Sequence, residues 1–148
     1  MIGQIDPLLR KGVRGTTDSE HIFYYVLSRR LQHPETPLME VRRQADRQIM
    51  GWAAEVAPGR KIGLNIIMTD GDHFAGSRFG RTLWHVEREY VFECPICGKP
   101  HVHHEKGTDY RAVEIASEPL SDENWPEIPD SHVYTVDEDF YLLTEPVY

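Results

Sequence analysis

The sequence has 148 residues, with 24 acidic against 16 basic side chains and a formal net charge of −8. That balance disfavours a nucleic-acid backbone or an anionic membrane surface as a partner, since both attract lysine and arginine. No apolar run is long enough for a spanning helix and no secretory signal is visible, so a single domain in a reducing, cytoplasmic setting is expected.

The first dozen residues read as irregular, with Gly3, Asp6-Pro7 and Gly12 before Gly15. Thr17 is a good helix N-cap, and Glu20 three positions on completes a capping-box pattern. Ile22, Phe23, Val26, Leu27 and Leu31 then mark one apolar stripe at helical spacing, and the helix should stop before Pro34. A second helix is expected to restart at Glu35-Thr36-Pro37, with Pro37 in its first turn. Its buried face should carry Leu38, Val41, Ala45, Ile49 and Trp52, and Ala57-Pro58-Gly59 should end it. Arg42, Arg43 and Arg47 fall on the wet face of this helix and read as solvation.

The pattern then turns to strands. Ile62, Leu64, Ile66 and Met68 alternate, Asp70-Gly71 is a hairpin-turn signal, and Phe74 to Arg78 is the expected return strand. Leu83 to Arg88 and Glu89 to Glu93 look like short extended pieces. Arg111 to Ala116 alternates again. A loop with Pro119, Trp125, Pro126 and Pro129 precedes two last strands, near 132–136 and 140–143. Acidic residues gather between Glu114 and Glu145 and read as a solvated face. Two helices followed by antiparallel strands imply an α+β layered fold. Several strands are apolar on both sides, so the second face needs a cover, and the chain offers no third long helix to supply it.

Two constellations carry chemistry. Gly15-Thr16-Thr17-Asp18-Ser19-Glu20 sets a carboxylate at the mouth of a helix, where the local dipole favours negative charge. Asp18, beside Thr17, can grip the ammonium of an amino-acid substrate; the alternative is that Asp18 only supports the helix start. Cys94-Pro95-Ile96-Cys97-Gly98-Lys99 resembles half of a zinc knuckle, and His101, His103 and His104 follow it closely. Two thiolates and two imidazoles would make a tetrahedral set, although the gap between Cys97 and His101 is tight for one ion. The alternatives are a polar insertion with free thiols and a redox CxxC, for which the surrounding βαβ pattern is missing. His73, His85 and the three tryptophans read as structural or surface residues.

The residues 15–20 resemble the corresponding segment of the class II glutamine amidotransferases, which are N-terminal nucleophile hydrolases. Asn65 to Gly71 resembles the hairpin after that family's helix pair. Ala116-Ser117-Glu118-Pro119-Leu120, with Trp125 and Pro129 beyond, resembles its late strand and loop. The three segments occur in the family's order, and the resemblance runs from about Gly15 to the end. It implies an αββα sandwich and glutamine hydrolysis. In that family an N-terminal cysteine attacks the side-chain amide, an Asn-Gly pair supplies an oxyanion hole, and an arginine and an aspartate hold the substrate's carboxylate and ammonium. Only the aspartate maps here, onto Asp18. The chain opens Met1-Ile2-Gly3 and has no Asn-Gly pair. The expected reading is therefore a partial αββα sandwich, the C-terminal portion of a glutamine amidotransferase domain. It would bind glutamine, while a complementary segment or chain carries the cysteine half. A structural zinc is the one expected cofactor. The alternative is a non-catalytic, zinc-stapled binding module.

Overall fold

The computed structural model describes residues 1–89 and 110–148. The irregular opening expected from the sequence is instead a 3-10 turn, Ile2–Gln4, and a short helix α1, Pro7–Arg10. The reason is local: the Asp6 carboxylate accepts from the Leu8 N–H at 2.8 Å and Pro7 occupies the first helical position. Ile5 is sunk in the core, and the Asp6 N–H donates to Ser28 Oγ at 2.9 Å.

Two long helices follow, α2 (Asp18–Gln32) and α3 (Leu38–Val56). In α3 the periodicity holds: Leu38, Val41, Ala45 and Ile49 are buried, and the Trp52 ring meets Tyr25 edge-on with centroids 5.0 Å apart. Pro37 caps this helix from outside and is not part of its first turn. In α2 the stripe is displaced. Tyr25, Val26 and Ser28 are buried, while Phe23 and Leu31 are each 60% exposed. Ser28 enters the core because its hydroxyl donates to the Tyr24 carbonyl at 2.7 Å and accepts from Asp6. Arg42 also departs from expectation, being fully buried and not on the wet face. Asp46, one turn on, receives both its Nε and Nη2, so the charge enters the interior already paired.

Six strands follow among the described residues: β1 (Ile66–Thr69), β2 (Phe74–Arg78), β3 (Trp84–Arg88), β4 (Ala112–Ala116), β5 (His132–Val136) and β6 (Leu142–Pro146). The first strand is shorter than the alternation suggested, although the Leu64 N–H still reaches the Phe79 carbonyl at 3.0 Å. The last begins later than expected because Asp137 gathers the preceding turn, accepting from the N–H groups of Asp139 and Tyr141. Every pairing is antiparallel. One sheet runs β1-β2-β5-β6, and β3 with β4 forms a separate ribbon.

The α3 helix lies across β2 and β5, and α2 packs beside it. Tyr25, Val26, Ala45 and Ile49 from the helices join Leu64, Phe79, Val133 and Val147 in the larger core. On the ribbon side a smaller core holds Leu83, Ile128 and Tyr134, with Phe74, Ile115 and Leu142 against it. The Trp84–Glu127 bridge and the bond from Ile128 N–H to the Leu83 carbonyl tie the late loop to the ribbon. No helix among the described residues is long and apolar enough to cross a membrane.

Gly76 marks the tightest point of the four-stranded sheet. It faces Tyr134 across the β2–β5 pair, and a Cβ there would overlap the Tyr134 ring. Tyr134 is fully buried, with its hydroxyl reaching the Ile66 carbonyl. Gly76→Ala is therefore expected to cost about 1–3 kcal/mol in urea unfolding, the usual range for overpacking a filled core.

Candidate functional site

Asp18 is the first residue of α2, and Thr17 caps the helix by accepting from the Glu20 N–H at 3.4 Å. The rest of the capping box does not form. The Glu20 carboxylate turns away to accept from the N–H groups of Arg14 at 2.9 Å and Gly15 at 2.7 Å. Those two donors hold its pKa below the usual carboxylate range. The result is a clasp that fastens the preceding loop to the helix and fixes the direction in which Asp18 projects. A Cβ at Gly15 would stand 2.7 Å from the Glu20 carboxylate oxygen, so a side chain there would make the carboxylate shift.

Asp18 is exposed, and its Oδ1 accepts from the Ser19 N–H at 2.8 Å and the Ser19 hydroxyl at 3.4 Å. It stands on the rim of a cleft of about 670 Å³ between α2 and β1. Ile22, Phe23 and Val26 form the helix wall; Leu64, Ile66 and Ile67 form the strand wall. Four charged side chains line the cleft, and their pairing sets its electrostatics. Arg30 meets Asp70 at 2.9 Å, and Arg42 is taken by Asp46. Asp70 is held down to about 2, chiefly by the His73 backbone N–H, with Asp72 N–H and the side chains of Arg30 and His73 adding to it. Asp18 is left as the lining charge with no basic partner among the described residues. The cleft thus offers a single uncompensated carboxylate at its rim and apolar walls behind it, a setting suited to an ammonium group carried on a short chain.

The other segments singled out in the sequence hold structure in place. Asn65 accepts from the Phe79 N–H at 3.2 Å and donates to the Thr82 carbonyl at 3.0 Å, pinning the approach to β1. The Ser117 carbonyl accepts from the Thr82 hydroxyl at 2.9 Å. Trp125 is anchored through its Nε1–H to Ser121 Oγ at 3.0 Å, and Arg88 bridges Glu114 and Glu123 at 2.6 Å each. These contacts tie the late loop to the β3–β4 ribbon and to the approach to β1. His73 is exposed beside Asp70, and His85 is half-buried, its pKa lowered by that burial.

Cys94, Cys97, His101, His103 and His104 lie outside the described residues. Among the described residues no group of three or more histidines, cysteines and carboxylates is placed to hold a metal ion. Sequence reasoning singled out Asp18 and Thr17, which the structure sets side by side at the start of α2, and missed the Glu20 clasp and the burial of Arg42. The Arg-x-x-x-Asp spacing of Arg42 and Asp46 was the signal for the second.

Comparisons with known proteins bear on the family and the fold. The model of the class-II glutamine amidotransferases matches residues 5–144. No curated protein matches the chain significantly. Among solved structures, a glutamine aminotransferase class-II domain protein from Silicibacter pomeroyi superimposes with a TM-score of 0.64 at 17% identity. The match covers 98% of this chain and 58% of that one, so this chain spans a little over half the length of that solved relative.

Proposed function

Since the chain belongs to the class-II glutamine amidotransferases, we propose that it forms the C-terminal portion of such an enzyme and binds glutamine, with Asp18 receiving the substrate's α-ammonium. The observation that carries this reading is the unpaired Asp18 carboxylate at the rim of the α2–β1 cleft. The nucleophile comes from another polypeptide segment or chain that bears an N-terminal cysteine. Two features support that division. β1 is an edge strand among the described residues, with unpaired backbone groups on one side. Along that edge Phe23 and Ile67 leave large apolar surface open, at 60% and 52% exposure. An extended segment laid there would satisfy the backbone and cover both side chains.

The test is covalent capture. The tagged chain, isolated from its own cells with whatever accompanies it, is treated with a diazoketone analogue of glutamine and mapped by mass spectrometry. The expected label sits on an N-terminal cysteine of an accompanying polypeptide, with loss of ammonia release. Labelling of Cys94 or Cys97, or ammonia release by the chain alone, overturns the reading.

A structural zinc belongs to the same proposal. The segment bearing Cys94 to His104 joins β3 to β4, whose last pair is Arg88 opposite Ala112. A connection of that length gains from a metal staple. The purified chain is expected to carry zinc near one equivalent, lost in Cys94→Ser with Cys97→Ser. A metal-free protein with the same melting temperature as the double variant contradicts it. Should zinc be present but the diazoketone label nothing and no ammonia appear with any companion, the non-catalytic module is the correct reading.

A further inference from the structure

A second cleft of about 630 Å³ opens between the N-terminal segment, α2 and α3, and shares no lining residue with the first among the described residues. Three arginines converge on it from three elements: Arg10 of α1, Arg29 of α2 and Arg47 of α3. Most other arginines of this acidic chain meet a carboxylate; these three meet none among the described residues. Each is instead steadied by neutral oxygens. Arg10 donates through Nη2 to the carbonyls of Gly3 and Ile5, Arg29 through Nη2 to Gln44, and Arg47 through Nε to the Val147 carbonyl. Their other guanidinium nitrogens have no partner among the described residues. Asp6 is the single acid in the lining, and its carboxylate is engaged in capping α1. The cleft therefore carries a surplus of two positive charges in a molecule of net charge −8.

We propose that this cleft binds a small molecule bearing a diphosphate or comparable phosphate group. Planar guanidinium forks are suited to phosphate oxygens, and three of them held in a concave surface match a compact multivalent anion. The side-chain amides of Gln32 and Gln48 on the rim add donors to such a group. The site stands independently of the glutamine reading, since neither Asp18 nor the β1 edge takes part.

The probe is inorganic pyrophosphate, titrated into the full chain at low salt and followed by backbone amide spectra and calorimetry. Saturable binding below about 1 mM is expected, with shifts confined to residues 3–10, 25–32 and 44–48. The affinity should fall steeply with added salt. Arg29→Gln should weaken binding at least tenfold, and Arg29→Lys should recover part of it while leaving the melting temperature of the free protein unchanged. Shifts elsewhere, no saturation by about 10 mM, or equal binding by Arg29→Gln would overturn the proposal. Citrate binding more tightly than pyrophosphate would overturn the phosphate assignment.

Discussion

Asp46→Ala is expected to destabilise the protein by about 3–5 kcal/mol, the range for stranding one member of a buried ion pair. Arg42 has no exposed surface, and its Nη1 already lacks a partner in the interior. Burial pulls the guanidinium down to about 10, so it remains cationic at neutral pH. Without Asp46 that charge has no counter-ion against the sheet, and α3 must shift or admit water. For a domain of this size the loss corresponds to roughly 10 °C or more in melting temperature. Replacing both partners, Arg42→Met with Asp46→Leu, should recover most of the loss, because two well-packed apolar residues carry no stranded charge. Paired urea and thermal melts of the single and double variants check this. A change below about 1 kcal/mol in Asp46→Ala would show that the pair is reached by solvent.

The second large effect concerns the site. Asp18→Ala should weaken glutamine binding by roughly 10–100-fold, the equivalent of losing one charge-assisted hydrogen bond. Asp18→Asn should fall nearly as far, because it keeps the shape and loses the charge. Thr17→Ala separates binding from helix support. It removes the N-cap contact to the Glu20 N–H and should cost about 1 kcal/mol of stability. Its effect on glutamine affinity should be much smaller than that of Asp18→Ala. Calorimetric titration of the three variants beside the parent decides it. Equal losses in Thr17→Ala and Asp18→Ala would mean that Asp18 acts through the helix start alone.

How much of this was legible depends on the range of the interactions. The Thr17 cap, the α3 face and the 66–78 hairpin rest on neighbours a few residues apart, and spacing reveals them. The resemblance of residues 15–20 to the family's segment singled out Asp18, which opens α2. What spacing alone did not show is set by partners distant in sequence or by competition among local donors. Phe23 lies open because Ser28, tied to Asp6, takes the inward position beside Tyr25 and Val26. Arginine ordinarily signals a wet face, and at position 42 the Asp46 partner reverses that rule. Glu20 had two sets of backbone donors within reach and chose those of Arg14 and Gly15. The order β1-β2-β5-β6, with the β3–β4 ribbon set aside, brings together segments that no periodicity connects. The convergence of Arg10, Arg29 and Arg47 is of the same kind.

The claim on which the rest turns is that Asp18 meets the ammonium of glutamine. Backbone amide spectra of the chain, titrated with glutamine and separately with its analogue lacking the amino group, address it directly. Glutamine should move the resonances of residues 17–20 to saturation while the des-amino analogue leaves them in place. Equal shifts from both compounds, or none at that helix mouth with glutamine, would contradict the account.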